Sequence, residues 1–214
     1  LPLPYAERNT MPNWCFNRLT VLGPGASRRT FADEMQRTAA LRYPGQTVTF
    51  TFNHAFPMPA DLVGTKSPRP LTATQIVELA KQYNWDSEVL NSRLKTALTE
   101  DEEKMYNRNL LVHGAETWYE WCCKYWGTKW DASNPADLFT PRSVVYTFDT
   151  AWSPPENVIH MLAWMYPDLR FCLNYSLEGE SGRFSLRGDP GEAQSFLQEQ
   201  TNKAIERRME KITA

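Results

Sequence analysis

Four cysteines (Cys15, Cys122, Cys123 and Cys172) and three histidines (His54, His113 and His160) are the residues best suited to ligate a metal or act as nucleophiles. No two of them show the Cys-x-x-Cys or His-x-x-x-His spacing that brings two ligands to one ion. Adjacent Cys122 and Cys123 point to different sides of a helix. Four cysteines in 214 residues are also too few for a disulfide scaffold. Reduced, buried thiols are expected, with no metal site and no cofactor. Acid–base chemistry needs carboxylates placed around a cleft. Asp149 with Glu156 or Glu178 is the pair on offer, and their spacing specifies no reaction, so no catalytic residue is assigned and the chain is read as a non-enzyme. Pro12 would offer an amine base if Met11 were the initiator, but the ten residues before Met11 block that amine.

The binding chemistry is richer. Trp118, Tyr119, Trp121, Tyr125 and Trp126 form the densest aromatic patch. On a helix, Trp118, Trp121, Cys122 and Tyr125 make one stripe and Tyr119, Cys123 and Trp126 its neighbour, an arc wider than one packing partner needs. A helix sandwiched between sheet and insertion explains that arc. So does an exposed anchor for a protein partner, because Trp and Tyr dominate interface hot spots. The five rings, with acids Glu100 to Glu103 nearby, are the expected partner-binding residues. Trp130 and Trp152 follow short polar turns and are expected to lock loops onto the core. Arg28, Arg29, Arg37 and Arg42, with Arg207 and Arg208 near the end, would carry the alternative, nucleic-acid binding. Lys plus Arg is 23 against 25 for Asp plus Glu, and a net charge of -2 argues against a general nucleic-acid binder.

These residues must be positioned by regular elements. Asn17 to Gly23 alternates and ends in Gly-Pro-Gly, which predicts a strand and a turn. Ser27 is the expected cap of a helix to Arg42 with Phe31, Met35 and Ala39 on one side. Thr47 to Asn53 alternates strongly and predicts a second strand. A Pro-rich loop and helices over 72–84, 86–98 and about 99–126 follow, the last ending at Gly127. Ser143 to Thr150 predicts a strand, Ser153 caps a helix stopped by Pro167, and Leu169 to Leu177 predicts a strand hairpinned to Arg183–Arg187.

The expected fold is α+β: a ferredoxin-like βαββαβ antiparallel sheet with a helical insertion between the second and third strands. Residues 1–10 read as an irregular lead, 11–190 as a single domain with the insertion at about 56–142, and 191–214 as a C-terminal helix. On this reading one sheet face carries the aliphatics and rings. The other carries Arg18, Thr20, Thr47, Thr49, Thr51, Thr147, Asp149, Arg170, Cys172 and Asn174, nearly neutral and without a ring, which argues against RNA stacking there. No apolar run spans a membrane, and no signal peptide opens the chain, so a cytoplasmic protein is expected.

Met11-Pro12-Asn13-Trp14-Cys15 with Asn17 and the short strand to Gly23 resembles the opening of the Api92-like proteins. Trp126-Gly127-Thr128-Lys129-Trp130-Asp131 and Phe148-Asp149-Thr150-Ala151-Trp152-Ser153-Pro154-Pro155 resemble further signatures of that family. The resemblance covers Met11 to about Gly188. It departs after Tyr175, where the segment is longer than a compact turn. It implies a ferredoxin-like domain of unassigned function, carried by phages, plasmids and integrated islands of enterobacteria. It implies no catalytic residue. In that setting the expected partner is a host or element-encoded protein, with a counter-defence role; a homo-oligomer stays open, and no membrane partner is expected.

Overall fold

The structure, a computed structural model, describes residues 13–46 and 48–187. Five strands, β1 (Trp14–Leu22), β2 (Ser133–Phe139), β3 (Ser143–Ala151), β4 (Arg170–Leu177) and β5 (Glu180–Arg187), form one antiparallel sheet in the order β2-β3-β1-β4-β5. The helices are α1 (Gly25–Arg42), α2 (Ala73–Gln82), α3 (Ser87–Leu94), α4 (Glu100–His113), α5 (Trp118–Tyr125) and α6 (Glu156–Met165). β1-α1-β2-β3-α6-β4 is the βαββαβ unit, and β5 extends it at the β4 edge. The chain divides into two compact units, one of Leu1–Pro57 with Cys122–Ala214 and one of Met58–Trp121. The leader at 1–10 and the expected C-terminal helix at 191–214 lie outside the described residues.

Strand alternation builds the core of the first unit. Cys15, Asn17, Leu19 and Val21 of β1, Val144, Tyr146 and Phe148 of β3, and Phe171 and Leu173 of β4 are buried on one face. That face meets Phe31, Met35 and Ala39 of α1 and Val158, Ile159 and Leu162 of α6, all buried. Phe31 sits edge-on to Tyr146, Phe171 and Tyr166 at 6.0, 5.5 and 5.0 Å between ring centroids.

The second strand is not where the alternation at 47–53 places it. Residues 48–51 run outside the sheet and close in a 3-10 turn at Phe52–His54; the strand beside β3 is β2. Phe50, Thr51, Phe52 and Asn53 are all buried, so these four consecutive residues have no solvent face. Phe50 stacks on Phe148 at 4.8 Å, which lays the segment across the helix side of the sheet. Asp131 fixes it there. Its carboxylate accepts from Tyr43 Oη at 2.7 Å, Thr51 Oγ1 at 2.6 Å, the Phe52 N–H at 2.7 Å and Asn53 Nδ2 at 2.9 Å. A backbone N–H given to a carboxylate is lost to a strand ladder. Burial, then the Asp131 carboxylate, raise the Tyr43 hydroxyl far above its ordinary value. The long excursion therefore separates α1 from β2, while β2 and β3 join by a short turn at Thr140–Arg142.

Two cap expectations and one helix expectation also change. Ser27 lies inside α1, which starts after Pro24 without a side-chain cap. Ser153 gives its hydroxyl to the Gly127 carbonyl, and Pro155 precedes α6. The single helix expected over 99–126 is two. α4 ends at Gly114, whose φ of 68° suits glycine, and the Thr117 hydroxyl accepts the Glu120 N–H as α5 begins. In the Met58–Trp121 unit, Thr72 and Thr99 form capping boxes with Gln75 and Glu102, and Arg69 pairs with Glu116 at 2.7 Å.

Candidate binding surface

Helices α1 and α6 pack on one side of the sheet, and the even-numbered residues of β1 face the other. These are Trp14, Phe16, Arg18, Thr20 and Leu22, and Phe16 is 61% exposed. Register sets the rows across this outer face. Phe16 lies between Asp149 and Ser176, with Ser181 beyond. Arg18 lies between Thr147 and Asn174, with Arg183 beyond; Leu22 lies between Ser143 and Arg170, with Arg187 beyond. A shallow depression of about 390 Å³ is bordered by Phe16, Arg18, Asp149 and Asn174. The face is thus neither ringless nor nearly neutral, against the expectation. β1 begins at Trp14, upstream of the recognisable alternation, which brings Trp14 and Phe16 onto it. β5 adds Arg183 and Arg187, while Thr49 and Thr51 belong to no strand of the sheet and Thr47 lies outside the described residues.

At one end of this face the three stretches that carry the family resemblance meet. Trp14 packs on Trp130 at 6.1 Å, and the Trp152 N–H donates to the Asn13 carbonyl at 2.9 Å. Lys129 Nζ lies 4.6 Å from the Trp130 ring and 5.4 Å from the Trp152 ring, within cation–π range of both. Trp152 is 45% exposed, so it does not lock a loop onto the core as expected. Its φ is 69°, a left-handed conformation that bulky residues rarely adopt. Behind it, Asn17 Nδ2 donates to the Cys15 carbonyl and to Thr150 Oγ1 at 2.8 and 2.9 Å, and Thr128 Oγ1 donates to the Ala151 carbonyl at 2.8 Å.

The residues chosen from sequence are placed differently. Trp121 and Trp126 are buried and cannot be contact residues; Trp126 Nε1 donates to the Phe56 carbonyl at 2.9 Å and its ring meets Phe52. Trp118, Tyr119 and Tyr125 are half-buried. Of the basic set, Arg28 is buried and clamps three backbone carbonyls, which removes it from any phosphate site. Arg29 and Arg37 are exposed on α1, Arg42 is half-buried, and Arg207 and Arg208 lie outside the described residues. No hydrogen bond joins Asp149 to Glu156 or Glu178 among the described residues; Asp149 accepts from Asn134 at 3.2 Å. Among the described residues no cluster of His, Cys, Asp and Glu could hold a metal. Burial raises the thiols of Cys15 and Cys122 above their ordinary value, leaving them poor nucleophiles.

One polar chain has no signal in the sequence. Tyr166 Oη hydrogen-bonds Glu34, His54 Nε2 meets Tyr166 Oη at 2.5 Å, and His54 Nδ1 meets Thr38 Oγ1 at 3.0 Å. Its members come from α1, the 3-10 turn and the end of α6, so folding alone assembles it. Burial lowers the His54 pKa, partly opposed by Glu34. A folded-state value below the unfolded one favours neutral His54, so this contribution is present above the unfolded value and is lost as pH falls through the folded one. The melting temperature is expected to drop between about pH 7 and pH 5, less steeply in His54→Gln. Equal slopes in a pH series of thermal melts would refute that assignment.

The sheet order and its one-sided helix layer define the class, an α+β ferredoxin-like domain. Residues 125–213 match the family model of the ferredoxin-like domain in Api92-like protein. The match takes in the Trp126–Asp131 and Phe148–Pro155 signatures and runs beyond Gly188, where the resemblance was expected to end; the Met11–Gly23 stretch lies outside it. The chain is similar to the crystal structure of a protein api92 from Yersinia pseudotuberculosis, at 11% identity and a TM-score of 0.40, over 83% of this chain and 95% of that one. No curated protein matched the chain. Among the described residues no helix is long and apolar enough to cross a membrane.

Proposed function

We propose that this is a non-catalytic accessory protein of a mobile genetic element that acts in the bacterial cytoplasm by binding a protein of the host or of the element. Inhibition of a host-defence enzyme is the role that fits such a setting. The supporting observation is Trp152, a large ring held half-exposed at a φ of 69° beside Lys129 and Trp130. A left-handed non-glycine residue costs about 1–2 kcal/mol, and core packing does not account for keeping that cost on an exposed indole. Trp is a favoured anchor at interface centres. This contact surface replaces the one expected on α5.

Trp152→Gly separates binding from folding. Glycine accepts the left-handed conformation without strain, so the variant is expected to melt at the wild-type temperature or up to a few degrees higher. A tagged pull-down from nuclease-treated enterobacterial lysate should recover a stoichiometric protein with the wild type and with Trp118→Ala, and lose it with Trp152→Gly. Retention of the partner by Trp152→Gly would refute the surface, and a bait that recovers no protein would refute the reading.

A further inference from the structure

We propose that the outer face of the sheet binds single-stranded RNA, with one base stacked on Phe16 and the phosphates held by Arg18, Arg170, Arg183 and Arg187. This goes beyond protein binding at the indole end and stands on different residues.

The ring is available. Phe16 is 61% exposed on the central strand, and its cross-strand neighbours Asp149 and Ser176, with Ser181 beyond, carry no bulk to cover it. Base stacking on an exposed sheet ring is how single strands are commonly engaged, because every base has a π-face. Arg18 follows Phe16 by two residues on the same strand face, about 7 Å along β1, within the reach of one nucleotide. Arg183 lies two strands from Arg18 in the same row, and Arg170 and Arg187 are directly opposite one another in the Leu22 row.

The charge is available too. All four arginines are exposed, and among the described residues none is in an ion pair. Arg170 gives one N–H to Ser185 Oγ at 2.8 Å, which steadies its side chain and leaves further donors. Against them these rows hold the carboxylate of Asp149, already bonded by Asn134. Among the described residues, four cations meet one anion in these rows, in a chain whose total is -2. The overall charge excludes a generally basic protein, not a local phosphate track. Thr147, Asn174, Ser176 and Ser181 sit in the Phe16 and Arg18 rows and supply hydroxyl and amide groups to meet a 2′-hydroxyl, which favours RNA over DNA.

The test is fluorescence anisotropy of the full chain with a labelled single-stranded RNA decamer of mixed sequence and its DNA counterpart. The wild type should bind RNA saturably at about 20 mM salt, with affinity falling as about the third power of salt concentration for four phosphates. Phe16→Ala should weaken binding about ten- to a hundredfold. Arg183→Gln and Arg187→Gln should each reduce the salt exponent by about 0.7, whereas Arg29→Gln and Arg37→Gln on α1 should change nothing. All five replaced side chains are exposed, so unchanged melts will certify folding. Absence of RNA binding at low salt would overturn the proposal, as would equal losses from the α1 variants; DNA binding as tight as RNA would overturn the choice of ligand. The protein-binding reading is tested in nuclease-treated lysate through Trp152, so either can fail alone.

Discussion

Replacing Asp131 with alanine should destabilise the protein by about 3–5 kcal/mol, a large part of the stability of a domain this size. The carboxylate is the shared acceptor for Tyr43, Thr51, the Phe52 N–H and Asn53, three of which are buried residues. Removing it leaves the donors of the three buried residues Thr51, Phe52 and Asn53 without this acceptor, and each unsatisfied donor costs about 1–3 kcal/mol. The effect will not stay local, because the 48–54 segment carries Phe50 and Phe52 against Phe148 of the sheet. Asp131→Asn should recover part of the loss, since its amide oxygen accepts but its NH2 confronts donors. Urea unfolding checks both; a loss below about 1 kcal/mol for the alanine variant would show that the segment is held by its rings alone.

Arg28→Ala should cost about 2–4 kcal/mol and leave nucleic-acid affinity unchanged. Its guanidinium donates through Nε to the Gly23 carbonyl at 3.1 Å, through Nη1 to Thr140 at 3.3 Å and through Nη2 to Pro141 at 2.9 Å. It ties the end of β1 to the β2–β3 turn. The Gly23 carbonyl is itself fixed, because the residue has a φ of 138° and a Cβ there would lie 2.8 Å from the Asp168 carbonyl oxygen. Lysine offers a point charge in place of a planar fork, so Arg28→Lys should regain only part of the loss. Wild-type unfolding with weakened RNA binding would reverse the assignment of Arg28 to structure.

The fold was legible where one-sided burial writes a period into the sequence. β3, β4 and the inner face of β1 alternate because helices cover one side only, and Phe31, Met35 and Ala39 mark the buried face of α1. β2 was illegible for the opposite reason: Ser133–Phe139 is an edge strand with a register shift and a proline, and it buries no side chain, so no period is impressed on it. Thr47–Asn53 has a strand's alternation in sequence, but Phe50 to Asn53 are all buried, and a carboxylate far along the chain claims the Phe52 N–H. The site was less legible still. Phe16 and Arg183 are ordinary in sequence and become neighbours of Arg18 and Asn174 only through register. Aromatic density pointed to α5, yet Trp121 and Trp126 are buried there, while Trp152, a single ring after a turn, is the exposed one. The Glu34–Tyr166–His54–Thr38 chain draws on three elements distant in sequence and had no local signal.

The protein-binding and RNA-binding proposals share one premise, that function lies on the outer face of the sheet. It is tested most directly by a photo-crosslinking amino acid placed at position 16, at position 152, or at position 41, where Leu41 is 79% exposed on α1. In bacterial cells, positions 16 and 152 should give discrete adducts, the first collapsing on ribonuclease treatment and the second persisting as a protein conjugate, while position 41 gives none. Adducts from position 41 as strong as those from positions 16 and 152, or none from either of the latter, would contradict the assignment of function to this face.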